Sequence, residues 1–126
     1  MISCQPIGYI STPFETREET PAQGSVTDAT GVIEVKSAYV SGLDGLTVGQ
    51  RLDVIWFADQ ADRTVVRYPD RVAGVFALRT VDRPNSIGIT TCTIDAIDAG
   101  TIVIEGVDML DDTPVIDLKP AFCNRR

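Results

Sequence analysis

Histidine is absent from this chain of 126 residues, and lysine nearly so, with Lys36 and Lys119 its two examples. The first absence removes the usual zinc-ligand spacings and any nucleophile activated by an imidazole, so a metal or triad enzyme is not expected. Three cysteines, Cys4, Cys92 and Cys123, stand far apart with no C-x-x-C pair. A Cys4–Cys123 bridge is conceivable because both lie near the termini; free thiols are the expectation in a cytosolic chain, and Cys92 reads as a small core residue. No apolar run approaches the about 18 residues of a membrane span, and the opening MISCQPIGYI lacks the basic start and long apolar core of a signal peptide. A soluble cytoplasmic protein with no membrane contact is expected. A helical period is missing too: no stretch of ten or more residues repeats its apolar positions at helical spacing.

What the chain has in quantity is aspartate. The formal net charge is −7 and the sequence pI about 4.4. This balance opposes nucleic acid binding, which draws on Lys and Arg to neutralise phosphates, and an Asp-rich, Lys-poor surface also suits a high-salt cytoplasm. Yet nine of the eleven cations are arginine, and Arg67, Arg71, Arg79 and Arg83 fall in one short span, which leaves room for a local positive patch.

Short alternating runs separated by turn signals place the chain in the mostly β class. QPIGYIST, GVIEVKSAYV, RLDVIWFAD, GVFALRT, SIGITTCTIDAI, TIVIEGVDM and TPVIDLKP read as strands, ETREETPAQGSVTDAT as an extended loop, and SGLDGLTVGQ as a turn with one helical turn near Leu43–Leu46. Asp98–Gly100 reads as the hairpin between the fifth and sixth. Six or seven strands in one domain make a sandwich or a small closed barrel; closure removes exposed edges, which favours a single-sheet β-barrel spanning residues 1–126.

Without histidine, the groups left for chemistry are Arg, Asp, Gln, Asn and backbone amides. They gather in TPAQG (Thr20–Gly24), in FADQ (Phe57–Gln60), in RTVDRPNSIGIT (Arg79–Thr90), and in DMLDDTPVIDLKP (Asp108–Pro120). Each has a bland reading: Gln23 solvated, Asp59 and Gln60 ending a strand, Asp111 with Thr113 in an Asx-type turn, Arg79 and Arg83 paired with Asp82 or Asp117.

Taken in order, PIGYISTPF, TPAQG, GVFALRTVDRPNSIGIT and DMLDDTPVIDLKP resemble the TrmO family, also called YaeB-like or TsaA-like, from Ile7 to Pro120. The family pattern runs G-x-I-x-S-P-F, P-R-Q, an apolar strand ending in H-Q, G-V-F-A-T-R-S-x-x-R-P-N-P-I-G, then D-x-x-D-G-T-P-V-x-D-I-K-P-Y. The resemblance implies a small β-barrel that binds S-adenosylmethionine and methylates N6 of threonylcarbamoyladenosine beside a tRNA anticodon, working as a homodimer with the cofactor near the subunit interface. It places Gln23, Gly24, Asp59, Gln60, Arg79, Ile89, Leu110, Asp111, Asp112 and Thr113 beside the cofactor. Arg83, Asn85, Asp117 and Lys119 would frame the same pocket or support it. It also implies a chain without the extra C-terminal domain of longer relatives. The departures are Ala22 for the P-R-Q arginine, Asp59 for the H-Q histidine, Ser86 for the N-P-I-G proline, Asp112 for the D-G-T glycine and Ala121 for the K-P-Y tyrosine. With the acidic balance they favour a small-molecule acceptor over tRNA, and a non-catalytic cofactor-binding module is the third reading. No catalytic residue is assigned; Asp111, Asp117 and water all stay open as proton acceptors.

Overall fold

The computed structural model describes residues 1–22 and 27–122. Six strands, β1 (Gly8–Ser11), β2 (Thr30–Val35), β3 (Arg51–Phe57), β4 (Ile87–Asp98), β5 (Thr101–Glu105) and β6 (Thr113–Pro120), form a closed barrel in the order β1-β2-β5-β4-β3-β6. Every pairing is antiparallel, and β6 returns to β1 through Gly8–Val115 and Ile10–Thr113.

Period-two alternation drives the closure, because successive side chains point to opposite faces of a strand. In β3, Leu52, Val54 and Trp56 point inward between partly exposed neighbours; in β4, Gly88, Thr90, Cys92 and Ile94 do the same. With Ile10, Ile33, Ile102, Ile104, Val107, Met109 and Val115 they make one continuous core. Trp56 faces Gly88 across the β3–β4 ladder, and a Cβ at Gly88 would overlap the indole ring. The hairpin expected at Asp98–Gly100 is present: Asp98 pairs with Thr101, and Ala99 carries the positive φ of 55° that the tight turn needs.

The fourth predicted strand, GVFALRT, is not a strand. Val75–Ala77 is a single 3-10 turn on the long connection between β3 and β4. Those two strands pair directly over seven residue pairs, so no position is left between them for a further strand. The alternation that suggested one is real, with Val75 buried and Phe76 exposed, but Val75 is anchored by its own amide to the Val66 carbonyl (3.0 Å). β2 also stops at Val35, short of the predicted Val40, and gives way to a 3-10 helix over Ser37–Leu43. β5 stops at Glu105 because Gly106, at φ 107°, turns the chain inward and buries Val107, Asp108 and Met109.

Candidate functional site

A cavity of about 720 Å³ opens where β3 ends and β6 begins. Its floor is Trp56, Asp108 and Met109; its walls are the segment before β2 (Arg17, Thr20, Pro21, Ala22) and the long β3–β4 connection, residues 58–86. The size falls in the range of small-ligand sites, which run from about 300 to 1,000 Å³.

Short hydrogen bonds fix the floor. The Trp56 indole N–H donates to Thr90 Oγ1 (3.0 Å), and the Thr90 hydroxyl donates to Asp108 Oδ1 (2.5 Å). All three residues are buried, so this polar chain satisfies groups that would be costly to leave unpaired. Asp82 fixes the outer wall. Arg17 Nη1 and Nη2 each donate to one of its carboxylate oxygens at 3.1 Å, the Asp62 amide donates at 2.9 Å and the Tyr68 hydroxyl at 3.1 Å. Burial pushes the Asp82 carboxyl up, but these donors together outweigh it and hold the group below the usual carboxylate range. Arg17 is raised in turn, chiefly by its hydrogen bonds to Asp82.

Of the residues expected beside a cofactor, the structure brings Asp59, Gln60, Arg79, Leu110 and Thr113 to this cavity. The side chains of Asp59, Gln60 and Arg79 take no hydrogen-bond or ion-pair partner among the described residues. Gln23 and Gly24 lie outside the described residues. Asp111 and Asp112 are not among the residues that line the cavity; they shape the loop. The Asp111 carboxylate accepts from the Thr12 amide (3.0 Å), its own amide donates to the Phe14 carbonyl (2.7 Å), and the Asp112 amide donates to the Ile10 carbonyl (2.8 Å). Asp112 has φ 66°, the conformation that the family's glycine suits and that aspartate tolerates better than most side chains.

The others lie elsewhere. Arg83 donates to the carbonyls of Leu78 and Thr80 and so shapes the loop carrying Arg79, while Asn85 accepts from Arg63 (3.3 Å). Asp117 and Lys119 point outward from β6 and pair with each other at 3.2 Å. The register shift beside Trp56 sets Asp117 opposite Ile55, on the outer face. Ile89 is also on the outer face, 49% exposed. Cys4 is a free, exposed thiol; Cys123 lies outside the described residues.

Sequence reasoning missed Arg17, Trp56, Tyr68 and Asp70 as cavity residues; it noted Arg71 only within an arginine cluster, and Asp108 only as the start of a polar stretch. Two carried a signal. Trp56 is the one tryptophan of the chain, and Asp108 is a charged residue inside the apolar run GVDML. Arg17, Tyr68, Asp70 and Arg71 sit on irregular segments whose path no periodicity specifies.

A family model described as "tRNA-methyltransferase O N-terminal domain" matches residues 9–124. The chain is 46% identical over 119 residues to a probable S-adenosyl-L-methionine-binding protein of Halobacterium salinarum, covering 93% of this chain and 96% of that one. It is 27% identical to the tRNA (adenine(37)-N6)-methyltransferase of Mus musculus, covering 92% of this chain but 30% of the relative. The crystal structure of TrmO from Pseudomonas aeruginosa superimposes with a TM-score of 0.80 at 32% identity, over all of this chain and 61% of that one. The match over residues 9–124 and the barrel shared with that crystal structure show that the chain belongs to the family of the tRNA-methyltransferase O N-terminal domain.

Proposed function

We propose that this chain is an S-adenosylmethionine-dependent methyltransferase that uses the cavity above Trp56 for its cofactor and N6 of threonylcarbamoyladenosine, beside a tRNA anticodon, as acceptor. The observation that carries the reading is the convergence of Asp59, Gln60, Arg79, Leu110 and Thr113 on one cavity. Relatives named for S-adenosylmethionine binding and for adenine N6 methylation in tRNA support it.

The residues present fit the cofactor. Arg79, unpaired among the described residues, suits its carboxylate; Asp59 and Gln60 suit its amino and ribose groups; Trp56, Leu78, Val81, Met109 and Leu110 offer apolar surface for its adenine. When bound it supplies an electrophilic sulfonium methyl. The chain's own contribution is positioning: buried strand ends hold the floor rigid while the two flanking segments exclude water from the sides. Asp111 is held by the Thr12 amide and Asp117 by Lys119, so neither faces the cavity; the carboxylate at the floor is Asp108.

Charge distribution bears on the acceptor. Residues 58–85 carry five arginines (63, 67, 71, 79, 83) against four aspartates (59, 62, 70, 82), a net of +1 in a chain of net −7. The wall of the cavity is thus less acidic than the rest of the molecule, which suits a polyanion approaching that side. The dimer expected from the resemblance has a surface to use: Ile55 pairs with Ile89 and Phe57 with Ile87 on the outer face of β3 and β4, with Ile87 46% exposed. Through that face Ile89 of one copy would approach the neighbouring copy.

Transfer of labelled methyl from S-adenosylmethionine to tRNA tests the reading. Label is expected in tRNA carrying threonylcarbamoyladenosine and not in tRNA lacking it. Equal labelling of both, or of neither with a folded, cofactor-binding protein, overturns the acceptor assignment.

A further inference from the structure

Asp82 gathers four donors from segments far apart in sequence: both Nη atoms of Arg17, the Asp62 amide and the Tyr68 hydroxyl. Thr80 Oγ1 completes the cluster, 2.9 Å from the Tyr68 hydroxyl and accepting from the Asp82 amide at 3.2 Å. Arg17, Tyr68 and Thr80 all line the cavity, yet none belongs to a strand of the barrel. Nothing in the barrel ladder therefore sets their positions.

We infer that Asp82 is the positioning residue of the cavity's outer wall, tying the segment before β2 to the β3–β4 connection so that Arg17 and Tyr68 are held in place for cofactor binding. This rests on the cofactor reading above. The bidentate fork fixes direction as well as distance, which a single ammonium contact cannot do. With the Arg17 side chain 51% exposed, the pair adds little to global stability. Its effect is geometric, and small misplacements of a wall carry large losses in binding and rate. Asp82 also occupies the Arg17 charge, which leaves Arg79 as a cavity guanidinium without a partner among the described residues.

The test compares wild type with Asp82→Ala, Asp82→Asn, Arg17→Ala and the Asp82→Ala/Arg17→Ala pair, by calorimetric titration with S-adenosylmethionine, thermal melting and amide hydrogen exchange. We expect each single alanine variant to bind the cofactor at least tenfold more weakly while melting within a few degrees of wild type. The double variant should lose no more than either single, and Asp82→Asn, which keeps one acceptor, should fall between. The Asp62 amide and Glu19–Thr20 should exchange faster in Asp82→Ala. Wild-type affinity in a folded Asp82→Ala, or additive losses in the double variant, overturns the inference. If Asp82→Ala does not fold, Asp82→Asn and Arg17→Ala decide on the same criteria. If wild type itself binds no cofactor, the functional reading fails, and exchange alone then decides whether Asp82 holds the wall: acceleration in the variants supports it, unchanged exchange overturns it.

Discussion

Gly88 and Trp56 divide one position of the barrel wall between them, with the indole occupying the space a Cβ would take. Gly88→Ala should therefore overpack the cavity floor and cost about 1–3 kcal/mol, read as a lower denaturant midpoint at unchanged slope. Asp82 makes a second residue-scale prediction. Its folded carboxyl titrates below the ordinary value despite burial, because Arg17, Asp62 and Tyr68 stabilise the charged form. A depressed folded value stabilises the protein above the unfolded-state value near about 4, and that contribution is lost as pH falls through the folded value. Asp82→Asn should thus lower stability modestly at pH 7 and shrink the difference from wild type below about pH 4, as followed by urea melts across pH. Cys92 contributes nothing of this kind: burial pushes its thiol up to about 12, so it stays neutral in the core.

β3 and β4 present different residues on their two faces. Inward they hold Trp56 and Thr90; outward they present Ile55, Phe57, Ile87 and Ile89 as cross-strand pairs. Ile89→Asp places a charge at the centre of that outer face. By light scattering after gel filtration it should convert the expected dimer to monomer with the barrel intact; a variant that remains dimeric moves the interface elsewhere. Strands such as RLDVIWF and TIVIE were legible because one face packs on the core and the other does not, so alternation survives in the sequence. GVFALRT alternates as well, but the pairing of β3 with β4 excludes it from the sheet, and exclusion by a distant pairing leaves no local mark. The same holds for the site. The motif residues Asp59, Gln60, Arg79, Leu110 and Thr113 could be named from the family resemblance, whereas Arg17, Tyr68 and Asp70 line the cavity from segments outside the strands, where Asp82 bonds Arg17 and Tyr68. Asp117 and Lys119 share the motif with Thr113 but are turned outward by the register shift in β6, which the sequence does not announce.

At the scale of the molecule, net charge −7 and the less acidic cavity wall give salt two opposing effects. Added salt screens self-repulsion, so the melting temperature should rise between low ionic strength and about 1 M KCl, where the Debye length falls to about 3 Å. Association with tRNA should weaken over the same range, with log affinity falling by roughly 0.9 per log salt for each phosphate neutralised on duplex regions. A protein stabilised by salt whose tRNA affinity is insensitive to it would direct attention to a small-molecule acceptor. The choice between acceptors presupposes that the cavity is a cofactor site. That claim meets its most direct test in calorimetric titration of wild type and Arg79→Ala with S-adenosylmethionine. One saturable site is expected in wild type and at least tenfold weaker binding in Arg79→Ala, with the same melting temperature; no binding by folded wild type at either low or high salt would contradict it.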